Sequence, residues 1–217
     1  LHIVCDPNPD PEKTWKERER LFKNVKGWDA YDTKLLSKGG RIFDRSEKSL
    51  KLTKEIRDCF DIRAEEVSPN ELMNAMLKAE TDLLWFGGIG TYVKATHEAN
   101  SQVGDKSNDA IRVNATELQA KVIGEGANLA VTQDARVEFA QNGGRINADF
   151  IDNSGGVDSS DHEVNIKFLL NKIVDSPKSK FSLKERNKLL ESMEDDVIDL
   201  VLSHNYQQAQ ALSMMEY

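Results

Sequence analysis

The sequence predicts an α/β fold, a parallel doubly wound sheet followed by a helical tail. Short apolar runs that read as strands alternate with stretches at helical spacing, the pattern of strand–helix–strand units. Two runs break at glycine and a polar amide: Val122-Ile123-Gly124-Glu125-Gly126-Ala127-Asn128 and Phe150-Ile151-Asp152-Asn153-Ser154-Gly155-Gly156-Val157. An apolar run that stops at glycine reads as a buried strand opening into a loop where backbone passes close to something. From Asp161 onward only amphipathic helix remains, which sets a boundary near Ser160.

Taken in order, 1–5 reads as a short strand. The prolines of Asp6-Pro7-Asn8-Pro9-Asp10-Pro11 impose an extended or turning loop. Residues 14–22 are helix-prone and charged, 27–36 irregular, and Ser37-Lys38-Gly39-Gly40 a turn. Thr53 caps a helix over 54–60. Ser68-Pro69-Asn70-Glu71 is a capping box with proline at the first helical position, and Leu72, Met73, Met76 and Leu77 follow on one face. Leu83-Leu84-Trp85-Phe86 reads as a buried strand with Gly87-Gly88-Ile89-Gly90 as its loop. Residues 110–113 are short and ambiguous. A strand over 120–123 ends at Gly124. A helix over 132–140 presents Val137 and Ala140 to one side and stops at Asn142-Gly143-Gly144. A weak strand covers 146–151. In the tail, Val164, Phe168, Leu169 and Ile173 make a helical stripe ending near Ser176-Pro177. Amphipathic helices over 182–193 and 195–212 follow.

The chain has 217 residues, 39% hydrophobic and 30% charged, with a formal net charge of -8. This acidic balance argues against nucleic acid as a partner, since phosphate backbones need a basic face. No apolar run reaches the roughly 20 residues of a membrane helix. The start lacks both an initiator Met and a signal-peptide pattern, so the chain reads as a piece of a longer protein. Two cysteines, Cys5 and Cys59, suit a reducing, cytoplasmic setting.

Three strand ends, after Phe86, Ile123 and Ile151, therefore carry glycine loops. Glycine lets a ligand touch the backbone directly. Asn128 and Asn153 add paired donor and acceptor amides, which suit a carboxamide or ribose better than a phosphate. No GxGxxG or Walker motif is present. Asp6, Asp10, Asp158 and Asp161 read as solvated loop acids, with no metal site among them. His162 beside Glu163 reads as a surface or capping pair, and His2, His97 and His204 lack recognisable partners. The isolated Cys5 and Cys59 are poor nucleophile candidates. Trp15, Trp28 and Trp85 read as packing residues, and the stripe over 200–215 as core or tail packing.

Four long segments resemble the large bacterial NAD-specific glutamate dehydrogenases. They are 6–11, Leu83-Leu84-Trp85-Phe86-Gly87-Gly88-Ile89-Gly90-Thr91-Tyr92-Val93-Lys94, Gly124-Glu125-Gly126-Ala127-Asn128-Leu129, and 151–167 with its Asn153-Ser154-Gly155-Gly156-Val157. The resemblance covers nearly the whole chain, and the second half of these motifs is more distantly similar to the smaller hexameric enzymes. It implies a Rossmann-like doubly wound sheet, truncated at its N-terminus. Residues 1–160 would be a partial dinucleotide-binding domain and 161–217 a helical segment. The full enzyme would oxidatively deaminate L-glutamate to 2-oxoglutarate and ammonia, with NAD as hydride acceptor. Gly87, Gly88 and Gly90 would lie near the adenosine and pyrophosphate side. Gly124, Glu125, Gly126, Ala127 and Asn128 would line the nicotinamide ribose, and Asn153 would bind carboxamide or ribose. Val157 and Ser160 would reach the substrate, Ser160 holding its distal carboxylate.

The resemblance also places the phosphate-binding glycine turn and the catalytic lysine and aspartate upstream of this chain. No catalytic residue is assigned here, and the expected partners are the rest of its own polypeptide and further copies in a homo-oligomer. Losing a central first strand would leave unpaired edges, so something is expected to replace it. Another NAD-dependent amino-acid dehydrogenase and a silent interaction domain of the same shape stand as alternatives, because fold alone does not set function.

Overall fold

The computed structural model describes residues 2–215. The expected strand over 1–5 and the expected helical segment 161–217 each extend beyond the described residues. The protein is mixed α/β and divides into two compact units. One comprises Leu1–Leu84, Thr91–Val122 and Val131–Arg145; the other comprises Trp85–Gly90, Ile123–Ala130 and Ile146–Tyr217.

In the first unit β1 (His2–Cys5) leads to α1 (Pro11–Lys23). This helix begins three residues ahead of the expected Thr14. The Asp10 side chain accepts from Glu12 N and Lys13 N at 3.1 Å each, and Pro11 takes the first helical position, where no N–H is needed. The irregular stretch contains two 3-10 turns, Trp28–Ala30 and Thr33–Leu35. β2 (Arg41–Asp44), β3 (Leu50–Lys51), α2 (Lys54–Cys59), β4 (Glu66–Val67) and α3 (Pro69–Lys78) follow. Thr53 accepts from Ile56 N at 3.3 Å, and the Ser68–Glu71 capping box is formed. β1 pairs antiparallel with β2, Ile3 opposite Phe43, and β3 pairs antiparallel with β4. Ile3, Cys5, Phe43, Leu50, Leu52, Ile56 and Leu72 form the core of this part, with Met73 and Met76 packed against it.

β5 (Thr81–Phe86), β6 (Val93–Lys94), α4 (Asn100–Val103), β7 (Val113–Asn114), β8 (Ala120–Glu125), α5 (Gln133–Gln141) and β9 (Arg145–Ile146) come next. β6 and β7 pair in parallel, and β8 lies between β5 and β9 in a three-stranded sheet. The described strands thus form four small sheets, two of them antiparallel, where one parallel sheet was expected. The physical reason is length. β3, β4, β6, β7 and β9 have two residues each, too few to extend one wide sheet.

Three packing expectations fail. Leu83 and Trp85 share one face of β5 and are exposed, and of the expected buried run Phe86 alone is buried. Trp15 is exposed as well. On α5 the buried residues are Ala135, Arg136 and Phe139, while Val137 and Ala140 face outward. Arg136 is admitted to that face because its guanidinium donates to Val131 O at 3.2 Å.

The second unit holds α6 (Asp149–Asp152), α7 (Ser154–Val174), α8 (Leu183–Ser192) and α9 (Glu194–Met215). The expected strand over 146–151 ends at Ile146, and Phe150 and Ile151 are helical. The helix expected from Asp161 begins at Ser154 and runs unbroken through Ser160. Asn153 serves as both the last cap of α6 and the first of α7, so two helices meet where a strand-to-loop transition was read. α7 packs on α9, with Leu170 and Val201 buried. Val164, Phe168, Leu169 and Ile173 stay exposed. No helix among the described residues is long and apolar enough to cross a membrane.

Candidate functional site

The predicted cofactor and substrate residues all fall in the second unit. They lie on three segments: the end of β5 with its glycine loop, the end of β8 with residues 124–130, and the α6–α7 junction. The first two are joined through one carbonyl. Phe86 O accepts from Gly126 N at 2.9 Å and from Ala127 N at 3.2 Å. The Trp85 indole then lies over Gly126, where a Cβ would sit 2.6 Å from Cζ2. Gly87 and Gly88 are exposed, and a Cβ on Gly88 would meet nothing within 4 Å. Gly90 has φ 143, a conformation glycine adopts without strain.

Residues 125–130 are held by carboxylates. Glu125 is fully buried, and its Oε1 accepts from Ala130 N at 2.9 Å. Asp152 Oδ2 accepts from Glu125 N at 3.0 Å, and Asp149 Oδ2 from Leu129 N at 2.9 Å. Leu129 has φ 66 and is exposed, a left-handed conformation costly for a bulky residue. Backbone held in such a region clusters at binding and switch sites. The N–H groups of Glu125, Gly126, Ala127, Leu129 and Ala130 are all engaged within the protein. The loop therefore offers side-chain amides and carbonyls rather than a nest of N–H groups, which suits hydroxyls or a carboxamide better than a phosphate.

Asn153 Nδ2 donates to Asn128 Oδ1 at 2.6 Å. Each amide keeps its other group, an NH2 on Asn128 and an oxygen on Asn153. Gly156 makes room for this arrangement, because a Cβ there would come 2.7 Å from Asn153 Oδ1. Gly124 is buried, while Gly126 and Ala127 are half-buried. Val157 and Ser160, three apart on α7, share one exposed helix face. Val157 also lines a cleft of about 570 Å³ with Phe150, Ser154, Asp158, His204 and Gln207.

Several neighbours in space were missed in the sequence. Asn205 Nδ2 donates to the buried Ser154 Oγ at 2.6 Å and pins the α6–α7 junction from α9. Asp158, read as a solvated acid, is flanked by His162, read as a surface or capping pair with Glu163, and by His204, read as lacking a partner. His97, likewise, pairs with Asp134 at 3.0 Å. His162 lies one helical turn from Asp158, so that spacing was legible; His204 and Asn205 are more than forty positions away in sequence and gave no local signal.

Residues 1–215 match the family model described as bacterial NAD-glutamate dehydrogenase, catalytic domain. The chain belongs to this family. It is 55% identical over 217 residues to the NAD-specific glutamate dehydrogenase of Pseudomonas aeruginosa and 50% identical over 217 residues to that of Halomonas elongata, with all of the chain covered in both. It is 49% identical over 214 residues, 95% of the chain, to the enzyme of the same name from Mycobacterium tuberculosis. In each case the chain spans 13% of the relative's length. Within the bacterial NAD-glutamate dehydrogenase match lie both the amide pair and the carboxylate-held loop.

Proposed function

We propose that this chain is the cofactor wall of an NAD-dependent glutamate dehydrogenase, which converts L-glutamate to 2-oxoglutarate and ammonia. The observation that carries the reading is the Asn128–Asn153 amide pair, set in a strained, carboxylate-held loop within a family of this description. The free NH2 of Asn128 and the free oxygen of Asn153 complement a carboxamide, so the residues present fit a nicotinamide. A bound nicotinamide ring supplies the hydride acceptor. Asn128 and Asn153 orient its carboxamide, and Gly124, Glu125, Gly126 and Ala127 shape the ribose side. Gly87, Gly88 and Gly90 leave backbone open toward the adenosine side. Val157 packs against the substrate's methylenes and Ser160 donates to its distal carboxylate. Holding the two reactants across one cleft supplies the positioning on which hydride transfer depends.

In this reading 1–160 is part of a Rossmann-like dinucleotide-binding domain, and 161–217 is the helical segment after it. The enzyme is cytoplasmic and homo-oligomeric, and this chain alone does not turn over. The test is a steady-state assay of the full-length protein with glutamate and NAD. Turnover that falls in Asn128→Ala and Asn153→Ala supports the reading; a full-length protein inert toward glutamate and NAD overturns it.

A further inference from the structure

We infer that Asp158, His162 and His204 form a binding site for one divalent transition-metal ion of the zinc type. Asp158 and His162 stand one turn apart on α7 and so face the same way, and His204 reaches them from α9. Asp158 Oδ2 lies 2.7 Å from His204 Nδ1, and Oδ1 lies 3.3 Å from His162 Nε2. One ligand atom from each residue can be chosen so that all three lie within 4.8 Å of one another. Tetrahedral zinc, with bonds of about 2.0–2.1 Å to nitrogen and oxygen, sets its ligands about 3.3 Å apart. The contacts to His162 and His204 are made by different oxygens of Asp158, and with one ligand atom per residue all within 4.8 Å no edge has to close by more than about 1.5 Å to reach that spacing.

His162 Nε2 makes the stronger point. It is shielded from solvent, yet it has no hydrogen bond, because the carboxylate beside it lies off the bonding direction. A shielded polar atom left without a partner calls for an explanation, and a cation between nitrogen and carboxylate provides one. Two imidazoles and a carboxylate select zinc-like ions over magnesium and calcium, which take oxygen ligands. Asp158 and His204 also border the 570 Å³ cleft, which leaves a fourth position open to water. The ion ties α7 to α9 beside Val157. This inference stands on the geometry alone and holds whether or not the dehydrogenase reading does.

The test is calorimetric titration of the metal-stripped full-length protein with Zn2+, repeated with Mg2+. Parent protein is compared with His204→Gln, His162→Gln and the near-isosteric Asp158→Asn. The expected result is one zinc site per chain in the parent that weakens more than about tenfold in each variant, with no corresponding Mg2+ site. Variants that lose thermal stability while their zinc isotherms match the parent would reduce the cluster to a salt bridge and overturn the proposal. If a variant fails to fold, the visible absorption of the unmodified protein with Co2+ decides. Tetrahedral bands with nitrogen and oxygen ligation support the site, and their absence overturns it.

Discussion

The indole of Trp85 occupies the space that a Cβ on Gly126 would need, with Cζ2 2.6 Å from that position. Glycine at 126 is thus a packing requirement as well as a turn residue. The ring is exposed enough to swing aside, so Gly126→Ala costs about 1 kcal/mol rather than unfolding the loop. The clash needs both partners. Thermal unfolding of Gly126→Ala, Trp85→Ala and the double variant should therefore show a coupling of at least about 0.5 kcal/mol. Strictly additive losses would mean that the two do not touch.

Removing the Asn153 amide breaks the 2.6 Å bond to Asn128 and, in the proposed reading, takes away one group offered to the cofactor. One hydrogen bond is worth about 1 kcal/mol, so Asn153→Ala should raise the KM for NAD about fivefold in the full-length enzyme. The KM for glutamate should change less. A fall in melting temperature with an unchanged KM for NAD would make Asn153 a clasp for the loop and nothing more.

Part of the acid sensitivity should come from Glu17. Its buried carboxylate accepts from Arg20 at 2.6 and 2.7 Å and from Asp32 N at 2.7 Å. The Arg20 hydrogen bonds hold its pKa down to about 2, against an ordinary 4.5. Because the folded value is the lower one, this stabilisation is complete above pH 4.5 and drains away as pH falls toward about 2. Glu17→Gln should cost about 2 kcal/mol near neutral pH and flatten the stability profile across that window. Denaturant melts at several pH values would check this.

The two thiols should react in a set order. Burial pushes Cys5 up to about 12, whereas Cys59 is exposed. The thiolate is the reacting species, so iodoacetamide should label Cys59 at least about a hundredfold faster than Cys5. Peptide mapping by mass spectrometry after timed labelling would show it. Equal rates would mean that the β1–β2 pair opens readily.

The sequence by itself determined features whose causes act within a few residues. The capping box at Ser68–Glu71, the cap at Thr53, the turn at Gly39 and the helix stop before Gly143 each depend on neighbours along the chain. The loop after β8 was legible for the same reason, since an apolar run ending in glycine is a local pattern, although the strand runs two residues past the expected end, through Gly124 and Glu125. Tertiary structure decided the rest. Phe150 and Ile151 look like strand residues, yet the short α6 is held where Asp149 and Asp152 meet N–H groups of Leu129 and Glu125, some twenty or more residues away. Trp85 is exposed together with Leu83 on one face of β5, a fact set by what packs on that face rather than by hydropathy. Asp158 finds His204 across 46 positions, and Ser154 finds Asn205 across 51. Such pairings exist only once α9 packs on α7, because side-chain hydrogen bonds act over about 3 Å and leave no periodic trace in the chain.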